Sequence, residues 1–486
     1  MRLSELFREV EFDGSIKNDA DINLVTDDSR LVRPGSLFVC IRHRSFDGHT
    51  AAVDALASGA AAVVTQNRLG LENELRVADS RSAYARLCAA LCNHPERKLR
   101  LIGVTGTNGK TTVTTLIRNI LSDSGTKTLL TGTVCNRLGD ENLPSGLTTP
   151  KPPELYSLLS RAVSQRCKAC VMEASSQALA QGRLEGIDFD AAVFTNITRD
   201  HLDYHGTFEN YISAKKKLFE HSALSIVNLD DPRANEIIAA SKGKIITFST
   251  VLDCADYTAK NISLLSDCVR FELVSKGHIE HIEFASPGLF SVSNAMAAAV
   301  CAINLGIEPK DAAQSLAKSK SVCGRLERVE CSAPYSVIID YAHTPDGLEQ
   351  VLRALRPSCR GKLIVLFGCG GDRDRTKRPL MGAAACKYAD KIIVTSDNPR
   401  SEDPIKIIGD ILKGTDKKRR DLFVEPDRRK AIALALKTAE PGDTVLLAGK
   451  GHEKYQLIGG EKLPLDERET VRKIFGLPHD TGRKKQ

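Results

Sequence analysis

Apolar residues fall into two alternating patterns along most of this chain. Short, largely apolar runs, such as those at 101–104, 169–172 and 191–194, are typical of strands buried on both faces. Between the first two runs, apolar residues recur every three or four positions, at 113, 116, 117, 120 and 121, which is typical of a helix packed on one side. Alternating strands and helices predict a parallel, doubly wound sheet that binds ligands at the carboxyl ends of its strands.

The same alternation occurs on both sides of this central part. Near the amino terminus, we predict strands at 36–41 and 60–65 around a helix at 51–58. Beyond a β-rich segment at 249–287 and an alanine-rich helix at 290–305, the pattern resumes. There we predict strands at 336–339, 363–367, 391–394 and 444–447, and helices that begin near Pro345, Pro379, Pro404 and Asp427.

Two changes of composition predict three α/β domains. Pro95 and a basic cluster at 97–100 mark the first boundary, and the GRLE motif at 324–327 marks the second. We predict a small amino-terminal α/β domain at 1–96, a central phosphate-loop domain at 97–325 and a Rossmann-like α/β domain at 326–486. The 486 residues of the chain are enough for three domains of ordinary size.

Composition narrows the class of protein further. With 42% hydrophobic and 27% charged residues, the chain resembles ordinary globular proteins. A net charge of +7 suits small anionic substrates, and no recognition motif for nucleic acid accompanies it, so we expect no polynucleotide partner. We expect no membrane span and no signal peptide, because apolar runs are short and residues 1–10 are charged. Fourteen cysteines then favour a cytoplasmic protein with reduced thiols.

The strongest chemical signal is the sequence TGTNGKTT at 105–112, between a predicted strand and a predicted helix. A glycine-rich turn in this position presents backbone N–H groups and a helix amino terminus to phosphate. Lys110 adds a positive charge for the outer phosphates, and Thr111 adds a hydroxyl for a magnesium ion. Val104 stands where the strict pattern has its first glycine, so the motif is a shortened phosphate loop. An ordinary glycine-rich turn is the alternative interpretation.

Three further groups in the central part suggest chemistry beside that loop. Glu173 ends a predicted strand, where a carboxylate can hold magnesium. His201 and His205 are four residues apart, which admits a zinc site, but Gly206 would end their helix and no third ligand is visible. Lys215 lies in a lysine run, usually a solvated face, yet its apolar neighbours favour a position at the edge of the site.

Polar loops at strand ends form a second candidate site in the last third of the chain. They lie at 340–343, 368–374, 396–400 and 448–453, and they are rich in glycine and charged residues. The glycines at 368–371 imitate a dinucleotide fingerprint, but no helix follows them directly. In the first domain, Ser29 and Arg44 lie in polar loops that flank one strand and could contact phosphate, although solvated loops are the simpler interpretation.

Taken together and in order, these motifs resemble those of the Mur ligases. The resemblance rests on TGTNGKTT at 105–112, EASS at 173–176, TNI at 195–197, DHLDYHG at 200–206, Asn294, GRLE at 324–327, DYAHTP at 340–345 and DNPR at 397–400. It covers nearly the whole chain. It implies an ATP- and magnesium-dependent ligase of cytosolic peptidoglycan synthesis, which adds meso-diaminopimelate to the D-glutamate carboxylate of UDP-MurNAc-L-Ala-D-Glu through an acyl phosphate.

The resemblance also implies a role for individual residues. Catalytic roles fall to Lys110, Glu173, His201 and Lys215, the last as a carbamylated lysine. Magnesium ligands would be Thr111, Glu173, His201 and Lys215. The nucleotide would contact Gly106, Thr107, Asn108, Gly109, Lys110, Thr111, Thr112, Asn294, Arg325 and Asp340. The UDP-sugar peptide would contact Asp27, Ser29, Arg44, Ser45, Phe46, Thr148, Thr149, Ser175, Gln181 and Arg183. The diamino acid would contact Arg373, Asp397, Asn398, Pro399, Arg400, Gly449 and Glu453.

Specificity has a physical basis in Arg400. Diaminopimelate carries a carboxylate at its far end and L-lysine does not, and an arginine can grip a carboxylate with two parallel hydrogen bonds. We therefore expect diaminopimelate rather than lysine, and a monomer that acts on small molecules. The alternatives are a lysine-adding ligase, a folylpolyglutamate-type ligase and, from another class, a regulatory protein that uses the phosphate loop as a switch.

Overall fold

The first part of the chain forms a small four-stranded sheet covered by helices. The computed structural model describes residues 1–43, 46–416 and 418–478. The elements here are α1 (Leu3–Leu6), β1 (Leu24–Thr26), β2 (Ser36–Val39), α2 (Ala52–Ala57), β3 (Ala60–Thr65), β4 (Glu74–Arg76) and α3 (Ser80–Leu91), with short 3₁₀ turns at Ser29–Leu31, Gly48–Ala51 and Pro95–Lys98. All three strand pairs are parallel, in the order β1-β2-β3-β4.

The central part is built on an eleven-stranded sheet. Its elements are β5 (Arg100–Thr105), α4 (Lys110–Asp123), β6 (Thr128–Thr131), β7 (Asn136–Leu138), β8 (Glu141–Leu143), α5 (Pro152–Ser164), β9 (Ala169–Glu173), α6 (Ser176–Ala180), β10 (Ala191–Phe194), α7 (Leu202–His205), α8 (Phe208–Glu220), β11 (Leu224–Asn228), α9 (Ala234–Ala240), β12 (Lys244–Ser249), β13 (Tyr257–Leu264), β14 (Val269–Ser275), β15 (His278–Phe284), α10 (Leu289–Asn304) and α11 (Pro309–Lys318). The order is β15-β14-β13-β12-β11-β10-β5-β9-β6-β7-β8. The middle strands pair in parallel, and antiparallel strands extend both edges.

The last part is built on a six-stranded sheet. Its elements are β16 (Glu327–Arg328), β17 (Ser336–Asp340), α12 (Pro345–Leu355), β18 (Leu363–Phe367), α13 (Lys377–Tyr388), β19 (Lys391–Val394), α14 (Pro404–Leu412), β20 (Leu422–Val424), α15 (Arg428–Lys437), β21 (Thr444–Ala448), β22 (Tyr455–Ile458), β23 (Glu461–Pro464) and α16 (Glu467–Ile474), with a 3₁₀ turn at Arg356–Ser358. The order is β16-β17-β21-β18-β19-β20, parallel except at β16, and β22 and β23 form a separate hairpin.

The central strands bury both faces, which explains their almost continuous apolar sequence. Along β5, Leu101 packs in a cluster with residues of α5 and α8. Its neighbours Ile102 and Val104 pack in a second cluster with residues of α4 and α10. Successive side chains of a strand point to opposite faces, so helices on both sides of the sheet are needed to cover them.

The predicted fold class is confirmed: three α/β units, with a mostly parallel, doubly wound sheet at the centre. The domain boundaries at 96/97 and 325/326 stay predictions. The helix after the phosphate loop begins at Lys110 rather than near Val113, because the loop itself forms the first turn after Gly109. Helix α13 begins at Lys377, so Pro379 lies in its first turn, where a missing N–H costs little. Among the described residues, no helix has the length and apolarity to cross a membrane.

Candidate active site

The phosphate loop between β5 and α4 is fixed by contacts with the residues that follow β10. Gly106 and Gly109 have φ of +154° and +87°, in the region that favours glycine. A Cβ on Gly106 would lie 1.9 Å from Thr195 Oγ1. Thr195 Oγ1 donates to Asn108 O at 2.6 Å, and Asn108 N donates to Asn196 Oδ1 at 2.9 Å. The loop is therefore preorganised by its neighbour strand, as phosphate binding requires.

Two lysine side chains converge on one carbonyl group of that loop. Lys110 Nζ donates to Gly106 O at 2.8 Å and to Thr107 O at 2.9 Å. Lys215 Nζ, on α8, donates to the same Gly106 O at 2.8 Å and lies 4.7 Å from the ring centre of Tyr211. Burial lowers the pKa of Lys110. Burial, and then the charge of Lys110, lower the pKa of Lys215 well below its usual value. Lys110 is therefore the cation of the loop, and its charge favours the neutral form of Lys215 beside it.

A buried carboxylate faces the start of α4. Glu173 Oε2 accepts from Thr111 Oγ1 at 3.0 Å and from Thr133 Oγ1 at 3.0 Å, while Oε1 accepts from Thr133 N at 2.7 Å. Glu173 is 1% exposed. Arg325 Nη2 lies 3.1 Å from Thr111 Oγ1 on the opposite side. A hydroxyl and a carboxylate at this distance form a pair of oxygen donors of the kind that magnesium prefers.

His201 stands at the entrance to the short helix α7. Burial lowers its pKa to about 4, so its imidazole is neutral at pH 7 and has a free lone pair. Its Nε2 lies 3.3 Å from Asp200 Oδ2. His205 is engaged elsewhere, with Nε2 3.0 Å from Ser176 Oγ. Within the described part of the chain, no three His, Cys, Asp or Glu side chains form a metal cluster, so the zinc interpretation gains no support.

A hydrogen-bonded network extends from Glu173 along the loop after α6. Thr149 Oγ1 donates to Glu173 O at 2.6 Å and lies 3.1 Å from Ser175 Oγ. Arg183 donates to Thr149 O at 2.8 Å and to Gln181 Oε1 at 2.7 Å. Four of the residues predicted to contact the sugar peptide thus lie together with the predicted catalytic glutamate.

The amino-terminal unit joins this network through Asp27. Its carboxylate accepts from Tyr84 Oη at 3.2 Å and lies 3.4 Å from Lys151 Nζ, two residues beyond Thr149. The Asp27 side chain is only 7% exposed. Ser29 is half-buried and Phe46 is exposed. The predictions for Arg44 and Ser45 lie outside the described residues.

A cleft of about 530 Å³ connects most of these groups. The predicted residues that line it are Thr107, Asn108, Gly109, Lys110, Thr111, Thr112, Thr148, Glu173, Ser175, His201, Lys215, Asn294, Arg325 and Asp340. Burial raises the pKa of Asp340, whose carboxylate accepts from the backbone N–H groups of Leu326 and Ala342. Gly106 and the residues predicted for the diamino acid are not among those that line the cleft, and neither are six of those predicted for the sugar peptide: Asp27, Ser29, Phe46, Thr149, Gln181 and Arg183.

The cleft also contains residues that the sequence reasoning missed. Asp346 Oδ2, in the first turn of α12, accepts from Asn108 Nδ2 at 3.1 Å and thus joins the last unit to the phosphate loop. Phe284, Leu289 and Phe290 form an apolar part of the wall, suitable for an aromatic base. The signal for Asp346 was its place directly after the DYAHTP motif. The apolar residues carried no signal in the sequence.

The predicted diamino-acid residues form a second group at the strand ends of the six-stranded sheet. Asn398 Nδ2 donates to Glu453 Oε2 at 3.0 Å, and Arg400 Nη1 donates to Gly371 O at 2.7 Å. Burial, and then the charge of Arg373, lower the pKa of Arg400. Arg400 has φ of +54°. Its N–H donates to Leu457 O of β22 at 2.9 Å, and its carbonyl oxygen accepts from Gly459 N, just beyond that strand, at 2.8 Å. Tyr341 links the two groups, because it lines the cleft and also packs on His452, with ring centres 5.2 Å apart.

The fold and the cleft together define a three-unit, phosphate-loop nucleotide-binding protein with a second group of charged residues at the strand ends of its last unit. Models of known families match three parts of the chain: "Mur ligase family, catalytic domain" at 21–90, "Mur ligase middle domain" at 104–302 and "Mur ligase, glutamate ligase domain" at 324–451. The chain belongs to the Mur ligase family.

Three known proteins illustrate how far this similarity extends. A UDP-N-acetylmuramoyl-L-alanyl-D-glutamate--2,6-diaminopimelate ligase of Caldanaerobacter subterraneus subsp. tengcongensis is 43% identical over 98% of this chain and 99% of its own length. A solved structure of a ligase with the same name is 35% identical, with a TM-score of 0.71, and covers 98% of this chain and 99% of its own. A MurF ligase from Thermotoga maritima, solved with ADP, is 19% identical with a TM-score of 0.61, over 93% of this chain and 96% of its own, and shows the fold alone.

Proposed function

We propose that this enzyme is the ATP-dependent ligase that joins meso-diaminopimelate to the D-glutamate carboxylate of UDP-MurNAc-L-Ala-D-Glu. The observation that carries the proposal is a single cleft lined both by Lys110 and Thr111 of the phosphate loop and by Thr148 and Ser175, two of the residues predicted for the sugar peptide. A phosphoryl donor and a carboxylate acceptor would meet there. The full-length relatives carry the name of this activity.

Charge neutralisation is the main task of the residues in the cleft. A triphosphate and a carboxylate repel each other, and cations fixed in advance lower the cost of bringing them together. Lys110 supplies that charge while it donates only to neutral groups of the chain, the carbonyl oxygens of Gly106 and Thr107. Transfer of the terminal phosphoryl group to the carboxylate would give an acyl phosphate and ADP. Attack by the amine of diaminopimelate would then form the amide bond, releasing phosphate and a proton.

The residues around Glu173 fit magnesium. Thr111 Oγ1 and Glu173 Oε2, 3.0 Å apart, are hard oxygen donors beside the phosphate loop. His201 supplies a neutral imidazole. When bound, magnesium would neutralise charge on the phosphoryl oxygens. We propose that Thr111 and Glu173 hold one ion, and that His201 and a carbamylated Lys215 support a second.

Carbamylation of Lys215 is supported by its surroundings. An amine reacts with carbon dioxide only when it is neutral, and burial beside Lys110 favours the neutral form of Lys215. The reaction forms an N–C bond, releases one proton and turns a potential cation into an anion. We expect the activity that is lost in Lys215→Ala to be partly restored by short carboxylic acids. Absence of rescue, in a variant that still binds ADP, would count against the carbamate.

The substrates beyond ATP are assigned by the same proposal. The sugar peptide is bound by Asp27, Ser29, Arg44, Ser45, Phe46, Thr148, Thr149, Ser175, Gln181 and Arg183. The diamino acid is bound by Arg373, Asp397, Asn398, Pro399, Arg400, Gly449 and Glu453. The pocket favours diaminopimelate over lysine because Arg400 is desolvated, and a ligand without a carboxylate at its far end would leave the guanidinium without an anionic partner, with only neutral acceptors such as Gly371 O.

The decisive experiment is release of phosphate from ATP in the presence of each substrate. We expect release only when UDP-MurNAc-L-Ala-D-Glu and meso-diaminopimelate are both present, and much slower release with L-lysine. Equal rates with lysine would favour the lysine-adding alternative. Release that depends on neither substrate would favour a nucleotide switch, and release with a folate acceptor would favour a folylpolyglutamate-type ligase.

We further propose that the enzyme acts in the cytoplasm as a monomer, on small molecules rather than nucleic acids or membranes. Sedimentation at several protein concentrations tests the monomer. A mass that rises to twice that of the chain at working concentrations would contradict it.

A further inference from the structure

We propose that Lys450 is a specificity-determining positioning residue of the diamino-acid pocket. Its buried ammonium group holds Glu453 and Asn398 in place and adds a positive charge beneath them. The pocket then accepts a diamino acid whose far end carries both an ammonium and a carboxylate. It disfavours a diamino acid whose far end carries an ammonium alone. This inference rests on the proposed function, but it concerns a residue to which that proposal gave no role.

Lys450 is completely buried, at 0% exposure. Its Nζ donates to Asn398 Oδ1 at 2.9 Å and to Glu453 Oε2 at 2.5 Å. Asn398 Nδ2 donates to the same Glu453 Oε2 at 3.0 Å, which closes a ring of three side chains. Leu457 N also donates to Asn398 Oδ1, at 2.9 Å, so donors fix which way the amide faces. The ring therefore holds one oxygen of Glu453, Oε2, with two donors.

The backbone around Lys450 explains why this lysine is buried. Gly449 and Gly451 on either side have φ of +109° and +53°, which turns the chain sharply after β21. A Cβ on Gly449 would lie 2.7 Å from Asp397 Oδ2, and one on Gly451 would lie 2.7 Å from Tyr341 Cβ. The loop is therefore packed closely against its neighbours on both sides of Lys450. Its ammonium is held under the pocket rather than in solvent.

The ring also determines which part of Glu453 a ligand can reach. Lys450 and Asn398 both donate to Oε2, so Oε1 is the oxygen available to an incoming ammonium group. The Glu453 side chain is 15% exposed, in contrast to the buried lysine below it. Lys450 therefore acts on the ligand through Glu453.

The balance of charge gives the expected selectivity. Arg400 lies in the field of Arg373, Asp397, Glu453 and Asp372. With Lys450, these side chains carry three positive and three negative charges, so the charges at the pocket balance. A far end with an ammonium and a carboxylate adds no net charge and gives Arg400 a partner. The far-end ammonium of lysine adds an uncompensated positive charge instead, which brings a like charge to Arg400 and Lys450 and is unfavourable.

Lys450→Met tests the inference by removing the charge while filling much of the same volume. We expect the ratio of kcat/KM for meso-diaminopimelate to kcat/KM for L-lysine to fall by about tenfold or more, mainly through KM. The affinity for ADP should stay within about twofold of wild type. The matched control is Lys454→Met, because Lys454 has the same charge in the same loop but a 75% exposed side chain. Its ratio should equal that of wild type.

Glu453→Gln provides a test in the opposite direction. It keeps the buried ammonium and removes the carboxylate that would receive the ligand's ammonium, so the ratio should rise while both substrates bind less well. If the wild type ligates diaminopimelate and the ratio is unchanged in Lys450→Met, the inference is overturned and the proposed function stands. If the wild type ligates neither substrate, both the proposed function and the inference are overturned. If Lys450→Met does not fold, Glu453→Gln decides: a higher ratio supports the inference, and an unchanged or lower one overturns it.

Discussion

The phosphate loop of the central unit and the strand ends of the last unit differ in the groups that their basic side chains contact. At the phosphate loop, Lys110 and Lys215 donate to the carbonyl oxygen of Gly106. In the last unit, three fully buried basic side chains are paired with carboxylates: Arg428 with Glu467 at 2.8 Å, Arg378 with Glu402 at 2.8 Å and Lys450 with Glu453 at 2.5 Å.

The difference corresponds to the charge of the proposed ligands. A cation that has only neutral partners pays a desolvation cost that a bound anion can offset, so the first region suits phosphate and carboxylate groups. A region whose charges already balance gains little from an anion, but it can orient a ligand that carries both signs. We therefore expect the phosphate loop to favour anions. We expect the strand ends of the last unit to favour a ligand that carries a positive and a negative group in the right places.

Lys110→Met has the largest expected effect. It tests whether the cation of the phosphate loop serves the reaction rather than the stability of the fold. Loss of the phosphate-loop cation should lower the rate of ligation by about a thousandfold. The free energy of unfolding should stay the same or rise, because burial penalises this ammonium in the free enzyme. Phosphate release and urea unfolding measure the two effects. A less stable protein with normal activity would show that the lysine serves the fold instead.

Arg428→Met tests the paired region in the same way and should give the reverse result. Both Arg428 and Glu467 are at 0% exposure, and Arg428 also donates to Ser396 O and Ala448 O at two strand ends. The variant leaves a buried carboxylate without its partner, which should cost about 3–5 kcal/mol of unfolding free energy. The double variant Arg428→Met/Glu467→Met should recover most of this loss in urea unfolding. No recovery would mean that the carbonyl contacts, rather than the ion pair, hold these strand ends.

Arg400→Ala tests ligand recognition in the last unit, because the substitution does not change any residue of the phosphate loop. The variant removes the guanidinium that would bind the far-end carboxylate of diaminopimelate. This loss should cost about 1.5–3 kcal/mol, or roughly 10–150-fold in kcat/KM for that substrate. The affinity for ADP should not change. Arg375→Ala is the control, since Arg375 is basic and nearby in sequence but its side chain is 69% exposed. Unchanged diaminopimelate kinetics in Arg400→Ala would remove this residue from the pocket.

His452→Asn has the smallest expected effect and tests the junction between the two regions. Burial, followed by the charges of Arg325, Arg468 and Lys450, lowers the pKa of His452 to about 4 from its ordinary 6.5. Between pH 6.5 and pH 4 the unfolded chain thus binds the proton more readily than the folded one, and protonation favours unfolding. Stability should fall as the pH drops through this window.

The variant should reduce that fall by less than about 1 kcal/mol, because His452 is only partly buried and solvent screens its charge. Urea unfolding at pH 7 and pH 5 measures the difference between variant and wild type. His281→Asn, at a histidine whose side chain is 82% exposed, is the control. An equal slope with pH in wild type and His452→Asn would assign the pH dependence to other groups.

Local patterns in the sequence predicted the phosphate loop and the fold around it. A strand, a glycine-rich turn and a helix follow one another within 100–123, so neighbouring residues determine the structure. The apolar runs of β9 and β10 were predicted for the same reason. Where local patterns were imprecise, as at the first residue of α4 or of α13, the motif itself formed the first helical turn.

Contacts between distant residues could not be predicted in the same way. Asp346 meets Asn108 across 238 positions of the chain. Lys450 was visible as part of a glycine-rich loop, but its pairing with Asn398, 52 positions away, depends on how β19 and β21 end in the folded sheet. The nearby Arg428 and Glu467 gave no sign that both would be buried.

The sequence by itself therefore determined the order of the elements, the presence of a phosphate loop and the residue types at each strand end, because these follow from local spacing and from which faces must be apolar. Only the tertiary structure decided which charges meet. It placed two lysines on one carbonyl oxygen of the phosphate loop and gave the buried cations of the last unit their carboxylates. The physical reason is that the energy of a buried charge depends on its partners and its exposure to water, and both are set by contacts between distant parts of the chain.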